Sequence, residues 1–387
     1  YITGYDIIHR GGFKIEPRHP IAYSNPESIF GGVMMTVARK RAFLISIAIC
    51  FFFIVCWGAY PLGVRANRLD LISEQSLDQL LGMCIQFRVD TLYVPIVSYM
   101  EALYLSDQLP RSNVLINNHA PDSFDPLRYL MEKGRHLGVA IIPIVDLFTV
   151  WPSKDFPAAR KHVSRQHPEW LSMDSLGRVL TAPAVLDPGV PEAQSFLITL
   201  LKEILIRYNP LILAFENFGY PSPVYGYNPY AMKEFEIAKN HSYARPYTMD
   251  DFRADALTSL LIRFNALRDG LGVRTRFLLL TETNPDRGLR EHFQDWVLWL
   301  NSGYFGNVAL WYWFMDVKTV RYDTLQAFDI LANDGFIVGF SPLSLIRAQL
   351  DLVLQEILTH PVGGIMIDTF SPEALTLLNL NGIGLPR

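Results

Sequence analysis

Four carboxylate residues each come directly after an apolar run of the chain: Asp146, Glu216, Glu282 and Asp368. A carboxylate beside a buried strand must be paired or must face a cavity, because an isolated buried charge is very costly. Several carboxylates that meet at one site suit glycoside hydrolysis, in which one protonates the leaving oxygen and another acts as base or nucleophile. We predict Glu216 as the general acid and Glu282 or Asp368 as the second catalytic residue.

Aromatic residues around Glu216 favour it as the acid. Phe215, Phe218 and Tyr220 are expected to form an apolar bed that raises the pKa of this carboxyl. A lone Asp or Glu at the end of a strand usually anchors a loop through hydrogen bonds. Four of them on separate runs exceed what anchoring needs, so the catalytic interpretation is favoured.

Aromatic and amide side chains follow the same strand ends and predict a carbohydrate site. Aromatic rings offer an apolar face to sugar C–H groups, and the polar tips of Tyr and Trp form hydrogen bonds. Core packing is the alternative role for each ring. Alternation along a strand places Trp311 and Trp313 on one side and Tyr312 on the other. The predicted substrate-binding residues are Asp146, Trp151, Asn217, Tyr220, Asn284, Trp311, Tyr312 and Trp313.

Eight short apolar runs would position these residues. The runs are nearly continuous and rich in branched and aromatic residues, which is typical of parallel strands covered on both faces by helices. Eight strand–helix units predict an α/β fold of the (β/α)8 class, a TIM barrel. A doubly wound open sheet is the alternative, but no glycine-rich fingerprint follows the first run. The runs cover 61–66, 91–97, 138–148, 211–218, 276–282, 307–314, 335–341 and 363–370.

Helical patterns separate the runs. Ser73 is a plausible N-cap for a helix that reaches Gln86, and Pro126 follows Asp125 at the start of the next helix. The connections after the third and fourth runs are long, and in a barrel such βα loops form the active face. Further helices are predicted at 191–208, at 248–269 before Gly270, and at 290–300, 322–333, 342–358 and 372–380.

An apolar segment near the start of the chain predicts export. Residues 42–64 carry no charge, and the basic stretch 39–41 stands immediately before them. About 20 apolar residues span a bilayer, and a basic flank stays on the cytoplasmic side. The segment is either a signal peptide that begins at Met34 or Met35, with Cys56 and Gly58 at the −3 and −1 positions of the cleavage site, or an uncleaved anchor. A buried core helix is the alternative, which the lack of a polar face disfavours.

The predicted organisation therefore has three parts: an unassigned stretch at 1–33 (an over-extended gene start or a short cytoplasmic tail), a signal peptide or anchor at 34–60, and the barrel at 61–387. The barrel is expected outside the cytoplasm, in contact with the membrane only through the segment at 34–60.

Composition excludes several classes of protein. With 387 residues, 50% hydrophobic and 19% charged, the chain is too apolar to be disordered. A net charge of −4 gives no electrostatic footprint for nucleic acid, and three cysteines are too few for a disulfide scaffold. The sequence contains no HExxH, GxSxG or GxxxxGK[ST] motif, so we predict no metal or other cofactor.

Several separated motifs resemble the glycosyl-hydrolase-like 10 family, in order and in spacing. The segments are HPEWLSMDSLGRVL (167–180), LDPGVPEAQSFL (186–197), LILAFENFGYP (211–221), YGYNPYAMKEF (225–235), FRADALTSLLIRFNALRD (252–269) and FQDWVLWLNSGYF (293–305), preceded by LGVRANRLDL (62–71) and VDTLYVPIV (89–97). The resemblance implies an exported bacterial glycosidase-type barrel that cleaves an envelope or extracellular polysaccharide. Cell-wall glycan is one candidate substrate. The resemblance also gives the acid at the end of the fourth strand a functional role.

Two positions depart from the family pattern. The family has an acidic pair where this chain has Glu216 and Asn217, and it tends to have Gln and Tyr at the end of the sixth strand, where this chain has WYWF (311–314). The first departure leaves open a non-catalytic polysaccharide-binding barrel. A metal-dependent isomerase or lyase is a further alternative that needs a His and carboxylate cluster. A second carboxylate within about 10 Å of Glu216 would favour hydrolysis over binding.

Overall fold

The computed structural model describes residues 61–152, 161–241, 246–312, 317–331 and 336–340, the segment 362–368, and scattered positions between 352 and 378. The side chains of Glu282, Tyr312, Val317 and Phe340 are not among what it describes. The barrel belongs to the compact unit Gly58–Arg387. The stretches 1–33 and 34–60, with the predicted signal or anchor, lie outside the described residues. Among the helices that are described, none is both long and apolar enough to cross a bilayer.

Eight parallel strands close into a barrel, as the eight apolar runs predict. The first strand pairs with both the second and the last, so the sheet has no open edge. This closure confirms the (β/α)8 fold and excludes the open doubly wound sheet. The strands are β1 (Leu62–Arg65), β2 (Thr91–Ser98), β3 (Ala140–Asp146), β4 (Ile212–Glu216), β5 (Arg276–Glu282), β6 (Asn307–Tyr312), β7 (Ile337–Phe340) and β8 (Gly364–Ile367).

Helices cover the outside of the barrel, and several of them begin at polar caps. Ser73 and Ser76 form a reciprocal capping box at α1, and the Asp125 side chain accepts a hydrogen bond from the Arg128 backbone N–H at α3. The helices are α1 (Glu74–Gln86), α2 (Asn113–Asn117), α3 (Pro126–Leu137), α4 (Val163–Gln166), α5 (Pro191–Tyr208), α6 (Pro229–Asn240), α7 (Met249–Gly270), α8 (Pro285–His292), α9 (Trp296–Asn301) and α10 (Val317–Leu331). Two 3-10 helices cover Arg68–Leu71 and Pro168–Trp170.

The boundaries of some helices differ from the sequence prediction. The single helix predicted at 290–300 is two helices, because Phe293 adopts a left-handed φ of 58° and Asp295 caps α9 anew. The α7 helix includes Gly270, and the left-handed position after it falls on Gly272 (φ 66°). The helices predicted at 342–358 and 372–380 lie largely outside the described residues.

Two apolar layers follow from the alternation of side chains along the strands. In β4, Ala214 faces the barrel interior, whereas Leu213 and Phe215 face the core between sheet and helices. The interior layer consists of Tyr93, Ile142, Ile144, Ala214, Leu278, Leu280, Ala309, Trp311 and Met366. The barrel is therefore a packed core rather than a pore, and a ligand can bind only at its mouth.

The long loops after β3 and β4 contain secondary structure of their own. The β3 loop forms a two-stranded antiparallel sheet of Thr149–Trp151 with Ala184–Val185, and the β4 loop contains α6. The two loops are bound to each other: Asn228 Nδ2 donates to the carbonyl oxygens of Glu169 and Leu171, at 2.7 and 2.8 Å. Together they form one wall above the carboxyl ends of the strands.

Candidate active site

One arginine bridges two of the predicted carboxylates at the mouth of the barrel. Arg65 is the last residue of β1, Glu216 is the last residue of β4, and Asp368 directly follows β8. Arg65 Nη2 donates to Glu216 Oε2 at 2.8 Å, and Arg65 Nη1 donates to Asp368 Oδ1 at 3.2 Å. Because one planar guanidinium spans both contacts, the bonded oxygens are at most about 8 Å apart.

A third carboxylate, Asp146, lies beside Glu216 because β3 and β4 pair in register at these two residues. Asp146 Oδ1 accepts hydrogen bonds from the backbone N–H groups of Phe148 and Thr149, and Asp146 Oδ2 accepts one from Asn217 Nδ2 at 2.8 Å. Burial nevertheless raises the pKa of Asp146. Asn217 has a left-handed φ of 52°, which Asn tolerates better than most residues.

The environment of Glu216 suits a general acid. Its pKa is raised from the ordinary 4.5 to about 7, with burial as the largest cause. Asp146 and Asp368 raise this pKa as well, because like charges disfavour ionisation, while Arg65 lowers it. The aromatic bed expected from the sequence is not in this position, since Phe215 and Phe218 belong to the core outside the barrel.

These groups share one cavity of about 730 Å³ at the carboxyl ends of the strands. Arg65, Asp146, Glu216 and Asp368 contribute to its lining, and Trp311 adds an aromatic side. Pockets of about 300–1,000 Å³ are typical of ligand sites. A pair of carboxyl groups in one such cavity is what glycosidases use to cleave a glycosidic bond.

Comparison with known proteins identifies the family. The model of the family glycosyl hydrolase-like 10 matches residues 65–331, which include Arg65 at the end of β1, the strands β2 to β6 and both long loops. The chain belongs to this family. The glycosyl hydrolase YngK of Bacillus subtilis (strain 168) is 20% identical over 283 residues, which make up 68% of this chain and 52% of that protein. The chain thus spans about half the length of this curated relative.

Solved structures share the barrel of this glycosyl hydrolase-like 10 chain. The catalytic domain of β-amylase from Paenibacillus polymyxa aligns with a TM-score of 0.52 at 11% identity and covers 85% of this chain and 95% of that domain. α-L-Fucosidase isoenzyme 2 from Paenibacillus thiaminolyticus aligns with a TM-score of 0.54 at 13% identity and covers 84% of this chain and 48% of that protein. At such identities the similarity establishes the fold alone.

Predicted substrate-binding residues of this glycosyl hydrolase-like 10 barrel lie at different depths. Trp311 lines the cavity but is only 7% exposed, and it packs over Gly339 of β7. Tyr220 also lines the cavity, and its hydroxyl donates to the buried Asp187 Oδ1 at 3.2 Å. Asn217 lines the cavity as well, and its side-chain amide donates a hydrogen bond to Asp146, another predicted residue.

Two further predicted residues have structural contacts. Asn284 is the N-cap of α8, where its side chain accepts a hydrogen bond from the Arg287 backbone N–H, and it does not line the cavity. Trp151 packs edge-on against Tyr99, with ring centroids 5.8 Å apart, and it stands behind that residue rather than on the cavity surface.

For the remaining predicted residues, the structure describes the backbone alone or nothing. Glu282 ends β5, and its backbone is in register with Trp311 of β6. Tyr312 ends β6, but its side chain and that of Glu282 are outside what is described, and Trp313 lies entirely outside it. Glu282 and Tyr312 therefore remain predictions at positions that the barrel brings near the mouth.

Sequence reasoning missed several residues of the site, among them Arg65, Arg68 and Tyr99. Arg65 is the one charged residue in the first apolar run, and this is the signal that would have found it. Arg68 and Tyr99 line the same cavity. Within the described part of the chain, no group of three or more His, Cys, Asp or Glu side chains is arranged to hold a metal ion.

Proposed function

We propose that this chain is a glycoside hydrolase that cleaves an envelope or extracellular polysaccharide, with cell-wall glycan strands as one candidate class. The bridge formed by Arg65 between Glu216 and Asp368 is the observation that carries this proposal. It brings two carboxyl groups together at the mouth of a glycosidase-type barrel. Family membership supports a carbohydrate substrate.

Glu216 is proposed as the general acid. With a pKa of about 7, a large fraction of this carboxyl is protonated at neutral pH. Arg65 donates to Oε2, so that Oε1 remains to hold the proton that passes to the leaving oxygen. The guanidinium thereby fixes the orientation of the acid before the substrate binds.

Asp368 is proposed as the base or nucleophile. Its side chain is 35% exposed and its Oδ1 is held by Arg65, which leaves Oδ2 for a water molecule or for the sugar. Paired carboxyl groups are about 5 Å apart in retaining glycosidases and about 6.5–9.5 Å apart in inverting ones. Glu282 stays the alternative second carboxylate, since its backbone ends a neighbouring strand at the same mouth.

A non-catalytic polysaccharide-binding barrel is the second candidate function. The observation that favours it is Asn217, whose amide is bound to Asp146 where the family pattern has a second acid. Both candidates predict binding of a polysaccharide, and only the hydrolase predicts shortened products.

The deciding experiment incubates the purified chain with cell-wall glycan and with other polysaccharides and sizes the products by mass spectrometry. We expect shortened chains with the wild type and a loss of at least about 100-fold in rate with Glu216→Gln or Asp368→Asn. Asp269→Asn, at an exposed surface ion pair, is the matched control and should cleave normally. Undiminished turnover in Glu216→Gln would reject this residue as the acid, and binding without cleavage by the wild type would favour the second candidate.

We also propose that the barrel is exported. The support is the uncharged segment 42–64 with the basic residues 39–41 before it. Residues 34–60 fused to alkaline phosphatase should give an active reporter, because that enzyme needs disulfides that form only outside the cytoplasm. Deletion of 42–60 from the fusion should abolish the activity, and an inactive full fusion would reject export by this segment.

A further inference from the structure

A second arginine lines the same cavity, close to Arg65 in the chain. Arg68 opens the 3-10 helix Arg68–Leu71 and stands near Ser98 and Tyr99 in the cavity wall. Arg65 is bound by the two proposed catalytic carboxylates. Arg68 is instead paired with Glu101, at 3.0 Å, on the loop after β2. The two arginines therefore have different partners, and Arg68 is not bound by the proposed catalytic carboxylates.

The contacts with Glu101 fix Arg68 without using all of its donors. Arg68 Nη2 donates to Glu101 Oε2 at 3.0 Å and to Ser112 Oγ at 2.9 Å. The Glu101 carboxylate is buried and also accepts hydrogen bonds from Ser112 Oγ, Asn113 N and Asn113 Nδ2. Because several donors share this one carboxylate, its negative charge is stabilised by partners other than Arg68 as well.

Two nitrogens of the Arg68 guanidinium have no acceptor among the residues that the structure describes. Within the described part of the chain, Nη1 forms no hydrogen bond, and Nε is buried without a partner. A buried N–H group without a partner costs about 1–3 kcal/mol, so a native protein with such a group calls for an explanation. Nε is fully buried and beyond the reach of a ligand, so Nη1 is the nitrogen to which an oxygen atom of a molecule bound in the cavity would supply an acceptor.

The Tyr99 ring packs against the Arg68 guanidinium, and the backbone at Tyr99 is strained. Its ring centroid lies 4.8 Å from Arg68 Cζ, which is a cation–π contact. Tyr99 and Met100 both have left-handed backbones, with φ of 57° and 51°, and this conformation costs a non-glycine residue about 1–2 kcal/mol. The His162 Nε2–H donates to the Tyr99 carbonyl oxygen at 2.8 Å and secures the turn. Strain of this kind at a cavity wall is typical of functional positions.

We propose that Arg68 binds a carboxylate carried by a sugar unit next to the one whose bond is cleaved, so that the substrate is an acidic polysaccharide. This inference rests on the proposed function, because it places the acidic sugar in the cavity that holds Glu216 and Asp368. The cavity of about 730 Å³ is large for a single sugar ring, and its lining contains Arg68 as well as Arg65, Glu216 and Asp368. A guanidinium that is fixed in advance and has donors left is suited to a carboxylate.

The test compares neutral oligosaccharides with the same compounds after oxidation of their C6 hydroxyls to carboxylates. Cello-, chito- and malto-oligosaccharides are titrated calorimetrically into the full chain carrying Glu216→Gln, which prevents cleavage. At least one oxidised compound is expected to bind at least tenfold more tightly than its neutral parent, about the value of one charge-assisted hydrogen bond. The advantage should shrink at about 1 M salt, where the Debye length is only about 3 Å.

Variants then connect the preference to Arg68. Arg68→Gln in the same background should bind both forms equally, whereas Arg128→Gln, which removes an exposed cation outside the cavity lining, should retain the preference. Because Arg68→Gln removes the cationic partner of the buried Glu101 carboxylate and can disturb folding, the double variant with Glu101→Gln removes both charges together and should give the same result.

The outcomes separate this inference from the proposed function. Equal binding of neutral and oxidised compounds before any change at Arg68, or a preference that survives Arg68→Gln, would overturn the acidic-sugar site and leave glycoside hydrolysis standing. Absence of binding by any oligosaccharide, together with absence of products from every polysaccharide, would overturn both proposals.

Discussion

At the residue scale, the pKa of Glu216 is set by neighbouring groups that act in opposite directions. Burial and the carboxylates of Asp146 and Asp368 raise its pKa, and the guanidinium of Arg65 lowers it. The result, about 7, lies where a general acid works well, because the group is both protonated and able to release the proton. In the proposed mechanism Arg65 positions Glu216 and also tunes its pKa.

The proposed acid role predicts the pH dependence of the reaction. We expect kcat/KM to fall as the pH rises above about 7, because only protonated Glu216 can donate to the leaving oxygen. Arg65→Gln removes the group that lowers this pKa, so the alkaline limb should move to higher pH while kcat decreases. Arg65→Lys keeps the charge and should leave the limb near its original position. If the alkaline limb of the kcat/KM profile does not move in Arg65→Gln, Arg65 does not lower the pKa of Glu216.

The raised pKa of Glu216 also predicts a pH-dependent stability. Between about pH 4.5 and 7 the native state holds a proton that the unfolded state has released, so the free energy of unfolding should decrease as the pH rises. The expected decrease is on the order of 1–3 kcal/mol, as measured by urea unfolding across this range. Glu216→Gln cannot titrate and should show a flatter profile. Parallel profiles for wild type and variant would show that the pKa of Glu216 is ordinary.

At the element scale, the long loops after β3 and β4 act as one unit because of buried polar contacts. Asp187 of the β3 loop accepts hydrogen bonds from Ser172 Oγ, from the Gly189 backbone N–H and from the Tyr220 hydroxyl of the β4 loop. The bonds from Ser172 and Tyr220 connect loop segments that are far apart in the chain, and the bond from Gly189 lies at a turn. The wall beside Glu216 is therefore held by hydrogen bonds that sequence periodicity does not reveal.

Removal of the Asp187 side chain should loosen this wall. Asp187→Ala leaves three buried donors without their acceptor, and we expect a loss of about 2–4 kcal/mol in the free energy of unfolding. Urea unfolding measures the loss, and Asp269→Ala at an exposed ion pair is the control with an expected change near zero. Equal stability of the two variants would show that the buried network contributes little.

At the scale of the whole molecule, closure of the barrel depends on close contacts between strands. Glycines provide the space for two large rings in the barrel interior. A Cβ atom on Gly63 of β1 would approach the Tyr93 ring at 2.5 Å, and one on Gly339 of β7 would approach the Trp311 ring at 2.3 Å. Each ring therefore packs closely against the glycine of a neighbouring strand in the barrel interior.

Alanine substitutions at Gly339 and at Gly82 should distinguish the cost of a steric clash in the barrel interior from the gain in stability when a helical glycine is replaced. Gly339→Ala forces the Trp311 ring to move, and we expect a loss of about 1–3 kcal/mol in stability together with weaker ligand binding in the cavity. Gly82→Ala, inside α1 with nothing within 4 Å of the new methyl group, should instead stabilise the chain by about 0.5–1 kcal/mol. A neutral Gly339→Ala would show that the strands can separate to admit the methyl group.

The sequence by itself determined the elements and the candidate acid. All eight apolar runs form barrel strands, because parallel strands buried on both faces require continuous apolar residues. The caps at Ser73 and Asp125 begin their helices as predicted, since they satisfy local backbone N–H groups. Glu216 and Asp368 were identifiable because each follows such a strand, and strand ends in a barrel converge on one mouth.

Only the tertiary structure decided which of these residues meet. Arg65 contacts partners 151 and 303 residues away along the chain, and no local pattern encodes such a pairing. Asn284 and Trp151 had the right residue types at the right strand ends, yet the fold uses one as a helix cap and the other as packing behind Tyr99. Periodicity specifies which face of an element is buried, whereas contacts across the mouth depend on barrel closure and loop geometry, which place residues from distant strands side by side.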